Sequence, residues 1–223
     1  MATNDRVISA GKQRALETNR VIRNTYTLLS MTLAFSALMA GVAMVGNAPP
    51  LPWFLVLGGY FGLLFLTSAL RNSAWGIASV FALTGFMGYT LGPILSFYLT
   101  AFDNGSQLVM TAFGGTAAIF LGLSGYALSS RKNFSFMGGF LFAGILVAFL
   151  AGLGALVFSL PGLMLAVSAM FILLMSGFIL YQTSEMVHGG ETNYVMATVG
   201  LYVAIYNIFT SLLHLLGVFG GDN

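Results

Sequence analysis

The sequence predicts an all-α integral membrane protein of seven transmembrane helices, and three observations predict it. Of the 223 residues, 58% are hydrophobic and only 6% are charged, about a quarter of the charged share of soluble domains. Half of the 8 basic and 6 acidic residues fall in residues 1–23; beyond them stand only Arg71, Asp103, Arg131, Lys132, Glu185, Glu191 and Asp222. So little charge cannot cover a water-facing surface, so the chain is dissolved in lipid. Finally, uncharged apolar runs of membrane-spanning length recur seven times.

In chain order the spans read as follows. Thr25–Val45 is the first; Gly46-Asn47-Ala48-Pro49-Pro50-Leu51-Pro52 forms a turn that no helix crosses, and Trp53–Leu70 follows. Trp75–Tyr98 and Gln107–Leu128 are the third and fourth. Residues 133–184 carry no charge, which is too long for one span and right for two, divided at Leu160-Pro161-Gly162 into Phe136–Phe158 and Leu163–Tyr181. The seventh is Tyr194–Val218. The first run also has small residues suited to signal cleavage at Ala40-Gly41-Val42-Ala43, but it exceeds an h-region of about 7–15 residues and follows a polar leader, so an uncleaved anchor is expected. The expected organisation is a cytoplasmic tail at 1–23, a membrane domain at 24–218 and a short external tail at 219–223.

Placing the N-terminus in the cytoplasm puts Arg6, Lys12, Arg14, Arg20, Arg23, Arg71, Arg131 and Lys132 all inside, and leaves the external loops and C-terminus without a basic residue. That is the positive-inside pattern, and it assigns the pI of about 9.0 to topology. No basic stripe with interleaved aromatics exists, so no nucleic-acid partner is expected. The absence of cysteine excludes disulfides, thiolate metal sites and cysteine nucleophiles.

Helices in lipid pack through small residues, and the 28 glycines supply them. Gly58/Gly62, Gly88/Gly92 and Ala148/Gly152 have the spacing of backbone contact points. Pro93 inside the third span leaves the Tyr89 carbonyl without its helical donor and predicts a bend, with Thr90 or Ser96 placed to repair the loss; a broken helix lining a cavity is the alternative. In the last span Gly200, Ala204, Asn207, Ser211 and His214 recur at spacings of 4, 3, 4 and 3, forming one small, polar stripe. A lipid-facing helix would not expose Asn and His, so this helix is expected to be buried with its stripe toward protein or water.

Gln182, Glu185 and His188 share roughly one face at the end of the sixth span. Gly189-Gly190 ends that helix, Thr192 or Asn193 caps the next, and Glu191 lies near its positive end. Glu185, His188 and Glu191 form a polar mouth that could attract cations, respond to pH or bind a metal, or simply solvate a loop. Gly122-Leu123-Ser124-Gly125 matches the G-x-S-G of rhomboid-type intramembrane proteases, with His214 as a conceivable base, yet Ser124 lies inside a span without an oxyanion-hole signature, so a hydroxyl bonded to its own helix is expected. No catalytic residue, metal site or cofactor is assigned.

The chain resembles the Bax inhibitor-1 (transmembrane Bax-inhibitor-motif) family over essentially its whole length, and within it the bacterial YccA-like branch. The carriers are Arg23-Asn24-Thr25-Tyr26, Gly85-Phe86-Met87-Gly88-Tyr89 with Gly92-Pro93-Ile94-Leu95, Leu123-Ser124-Gly125-Tyr126-Ala127, and His188-Gly189-Gly190-Glu191-Thr192-Asn193-Tyr194 followed by Leu201-Tyr202-Val203 and Tyr206-Asn207-Ile208-Phe209. The resemblance implies six helices around a central seventh, residence in the bacterial inner membrane, and association with FtsH, the membrane-anchored ATP-dependent protease, and its membrane complex, whose action on membrane proteins it restrains. Other members act as pH-sensitive calcium leaks through an aspartate pair; matched by motif, those positions are Gln182 and Ala204, and neither titrates. A shared proton on paired carboxylates is what gives such a gate its pH response and cation attraction. The expected function is therefore a non-enzymatic regulator that binds the protease; the alternative is a pH-sensitive calcium or cation leak.

Overall fold

In the computed structural model the backbone is described for residues 2–221 and the side chains for residues 16–221. The described chain is seven helices with no strand: α1 (Ala2–Val45), α2 (Trp53–Leu70), α3 (Trp75–Ala101), α4 (Gly105–Ser130), α5 (Gly138–Val157), α6 (Pro161–His188) and α7 (Tyr194–Gly220). A single 3-10 turn, Ser135–Met137, leads into α5. All seven helices are long and apolar enough to cross a membrane.

The boundaries follow local chemistry. No proline interrupts residues 1–45, so the polar leader runs into the first span as one helix, Ala2–Val45. α6 opens with Pro161 in its first turn, where a missing N–H costs nothing. It continues seven residues past Tyr181, which puts Gln182, Glu185 and His188 on the helix itself, and it stops at Gly189, whose φ of 77° suits a residue without Cβ. The Gly190 N–H then donates to the Glu185 carbonyl at 2.8 Å. Asn193, not Thr192, caps α7 by accepting from the Met196 N–H at 3.0 Å.

α7 stands at the centre, packed on α6, α4, α1 and α3; α2 leans on α3 and α5 on α6, forming the outer layer. The best apolar window of α7 is 44% buried within the protein and that of α2 only 6%. α7 is the most enclosed of the helices, with Leu201, Tyr202, Ala204, Ile208 and Leu213 fully buried and Val218 and Phe219 exposed near its end. Its polar stripe is therefore one sector of an enclosed helix, and its apolar residues meet protein as well.

α1 and α3 form the closest helix pair. A Cβ on Gly88 would run into the backbone carbonyl of Ser36, and one on Gly92 would lie 2.8 Å from the Ala40 carbonyl oxygen, so both glycines are contact points. Ala148 is fully buried, and a Cβ on Gly152 would make ordinary contact with Val167. Gly58 and Gly62 depart from the expectation: nothing lies within 4 Å of a Cβ at either, and Gly59 meets Phe86 instead. α2 packs chiefly on α3, so the glycines on the rest of its surface are left without a close neighbour. α3 remains helical through Pro93; Thr90 Oγ1 donates at 2.8 Å to the Met87 carbonyl, two residues before the Tyr89 oxygen it was placed to satisfy.

Candidate functional site

Two regions gather the polar residues. The first is the loop end where α6 turns into α7. Glu185 accepts a hydrogen bond from Ser135 Oγ in the α4–α5 connection. Ser184 Oγ accepts from the Phe134 N–H at 2.9 Å and donates to the Lys132 carbonyl at 3.2 Å. His188 places Nδ1 2.9 Å from the Ser184 carbonyl oxygen and Nε2 3.1 Å from that of Arg131. A neutral ring donates to one of these acceptors and an imidazolium to both. Glu191 Oε1 accepts from the Asn193 N–H at 2.7 Å, and Asn193 Nδ2 reaches the Arg71 carbonyl at 3.1 Å and Asn72 Oδ1 at 2.9 Å.

These bonds tie the α2–α3 and α4–α5 connections to the α6–α7 turn, so all three lie at one end of the bundle. Glu185, His188 and Glu191 are each turned to a separate partner. Among the described residues no group of three His, Cys, Asp or Glu side chains could hold a metal ion. The arrangement does the work of a loop clamp: it holds three connections in register over the ends of α6 and α7. Sequence spacing found the acidic and histidine members but missed Ser184, Ser135 and Asn72, because their roles depend on which loop folds over which helix.

The second region is the middle of α7. Gln182 is buried, and its Cδ would lie 3.5 Å from a Cβ on Gly200, so the position matched to the first family aspartate faces α7 one turn before Ala204, which is itself fully buried. Asn207 donates to its own helix at the Val203 carbonyl, 2.8 Å away. Ser211 is buried. His214 Nδ1 lies 2.8 Å from Ser168 Oγ on α6.

Ser124 is buried with its Oγ unpartnered, so the expected bond to its own helix is absent and His214 serves a different serine. Ser168 Oγ also lies 3.0 Å from the Met164 carbonyl. Ser168 sits in the second turn of α6, past the free N–H groups of the helix start, so no backbone donors converge there on an oxyanion. The Ser168–His214 pair is an inter-helix cross-link.

Between α2, α3, α5, α6 and α7 lies a cavity of about 730 Å³. Its walls are aliphatic and aromatic; Tyr60, Thr90, Tyr181, Tyr206 and Asn207 are the polar side chains that line it.

Comparison with known proteins places these features in context. Residues 18–221 match the family model described as Inhibitor of apoptosis-promoting Bax1. The chain is 50% identical over 220 residues to the Escherichia coli K12 protein named Modulator of FtsH protease YccA, covering 98% of this chain and 100% of that one. It is 55% identical over 207 residues to an uncharacterized Pseudomonas aeruginosa protein, covering 93% of each, and 43% identical over 212 residues to an uncharacterized membrane protein of Vibrio cholerae, covering 95% of each.

Proposed function

The chain belongs to the Bax inhibitor-1 family, and from that premise we propose that it binds FtsH and restrains that protease's action on membrane proteins, as a non-enzymatic, multi-pass component of the inner membrane. The observation that carries this reading is the 50% identity, over 98% of the chain, to a protein named a modulator of FtsH protease. The fold supports it physically. An ATP-driven protease must extract its membrane substrates, and a bundle whose central helix packs on α1, α3, α4 and α6, with α1 and α3 in backbone contact, resists extraction. The polar leader at residues 1–23 offers the handle. With the N-terminus in the cytoplasm and the C-terminus outside, that leader and the loop clamp share the compartment of the protease's ATP-driven machinery.

The cation-leak reading ranks second. Gln182 and Ala204 supply no ionisable pair, and Glu185 and Glu191 are engaged in the clamp. Affinity purification of the full chain from mild detergent is expected to recover FtsH. Its absence, together with unchanged turnover of FtsH membrane substrates on deletion, would overturn the proposal.

A further inference from the structure

The cavity beneath α2 and α5 belongs to neither the loop clamp nor the Ser168–His214 cross-link. α2 and α5 form no packed interface of their own; they meet through Phe61 and Phe149, whose rings stand edge to face with centroids 5.8 Å apart. Behind this pair the cavity reaches α7 at Val203, Tyr206 and Asn207. Its volume falls in the range of about 300–1,000 Å³ typical of small-molecule sites.

Three features identify the occupant. The cavity runs along the helices, from Gly138 and Tyr181 at the clamp end to Val56 and Leu57 in the first turn of α2, so it is elongated through the depth of the membrane. Its rim residues Phe61, Phe142 and Leu146 are exposed on the lipid-facing surface, so entry is from hydrocarbon. Of the lining polar groups, Thr90 and the Asn207 amide nitrogen already donate to carbonyls of their own helices, and the rest, the hydroxyls of Tyr60, Tyr181 and Tyr206 and Asn207 Oδ1, are set singly among aliphatic and aromatic side chains. Hydrocarbon meets all three conditions.

The headgroup follows from charge. At the clamp end the connections carry three exposed basic residues, Arg71, Arg131 and Lys132, the last with its Nζ 5.9 Å over the Tyr126 ring, against two carboxylates near Tyr181, Glu185 and Glu191, which accept from Ser135 Oγ and the Asn193 N–H. Basic groups between helices at one membrane face select anionic headgroups. We propose that the cleft between α2 and α5 holds one acyl chain of an anionic phospholipid, whose phosphate rests against the basic connections at Arg71 and Arg131–Lys132. The chain fills a void that no side chain fills and joins the outer helices α2 and α5 to the core.

The test uses the full-length protein in bilayers doped with phosphatidylglycerol or phosphatidylcholine carrying a diazirine midway along one acyl chain. After irradiation, peptide mass spectrometry maps the adducts. Phosphatidylglycerol should label the cavity residues Leu141, Ile145 and Met175 as well as outward-facing Val147 and Phe65; phosphatidylcholine should label the outward residues alone. Ile145→Trp, which fills the cavity, should abolish labelling of Leu141 and Met175 while outward labelling persists. Arg131→Gln and Lys132→Gln should each lower the cavity signal about fivefold. If Ile145→Trp fails to fold, the contrast between the two headgroups in the unmodified protein still decides. Labelling confined to outward residues, equal cavity labelling by both lipids, or equal labelling by a diazirine fatty acid lacking a phosphate would each overturn the proposal.

Discussion

The Tyr202 hydroxyl lies 2.6 Å from Ser36 Oγ and donates to the Thr84 carbonyl at 3.2 Å, so one phenol on α7 joins α1 and α3 in the fully buried core. With its own proton committed to Thr84, Tyr202 accepts from Ser36. The contact requires Gly88, because a Cβ there would occupy the space of the Ser36 carbonyl and hydroxyl.

Tyr202→Phe should therefore lower stability in detergent by about 1–2 kcal/mol, since it strands the Ser36 hydroxyl and loses the Thr84 bond. A thermal or denaturant unfolding series with Ser36→Ala and the double variant measures the coupling, expected at about 0.6 kcal/mol for a membrane-buried pair. Additive effects would show that the two hydroxyls act independently.

Gly88→Ala and Gly58→Ala separate contact from composition. The first should destabilise by about 1–3 kcal/mol by forcing α1 off α3. The second has nothing within 4 Å and should be neutral or stabilising by up to about 1 kcal/mol through helix propensity. Equal effects in the same unfolding assay would contradict the packing described.

Ser124 of the rhomboid-like motif and Ser168, which meets His214, should also part company. Ser124→Ala removes an unpartnered buried hydroxyl and should leave stability unchanged or improved. Ser168→Ala deprives His214 of its partner and should cost about 1 kcal/mol. Unfolding midpoints of the two variants, measured side by side, decide it.

Asn193→Ala removes both the α7 cap and the tether to Arg71 and Asn72, for an expected loss of about 1 kcal/mol. Limited proteolysis at the α2–α3 connection should speed up in parallel; unaltered cleavage there would show that the cap matters and the tether does not.

Calcium uptake into proteoliposomes should match that of empty vesicles, because the positions matched to the leak-forming aspartates are Gln182 and Ala204. Gln182 already faces α7 near Gly200, so the double variant Gln182→Asp/Ala204→Asp should introduce a measurable leak. Uptake by the unmodified protein, lost on Glu185→Gln, would restore the channel reading.

The span count, the break at Pro49–Pro52, the division at Pro161 and the turn at Gly189-Gly190 were legible in the residues themselves, because hydropathy, proline and glycine act locally. The burial of α7 was legible in outline, since Asn207 and His214 cannot face lipid. Partners were not. The motif offered His214 to Ser124, and only the placement of α6 gives it Ser168 instead; Gly58 is indistinguishable in sequence from Gly88 until α2 is found on the outside. The clamp shows the same limit: Glu185, His188 and Glu191 form a cluster by spacing, yet Glu185 and His188 bond the α4–α5 connection 50 and 57 residues back, while Glu191 turns to the Asn193 N–H of its own turn. The sequence by itself determined that this is a seven-helix membrane protein and which end carries its charge, both sums of local solvation energies. Only the tertiary structure decided which small residues touch, which hydroxyls cross-link and where a lipid-sized void remains, since these depend on how helices of nearly uniform apolarity pack side by side.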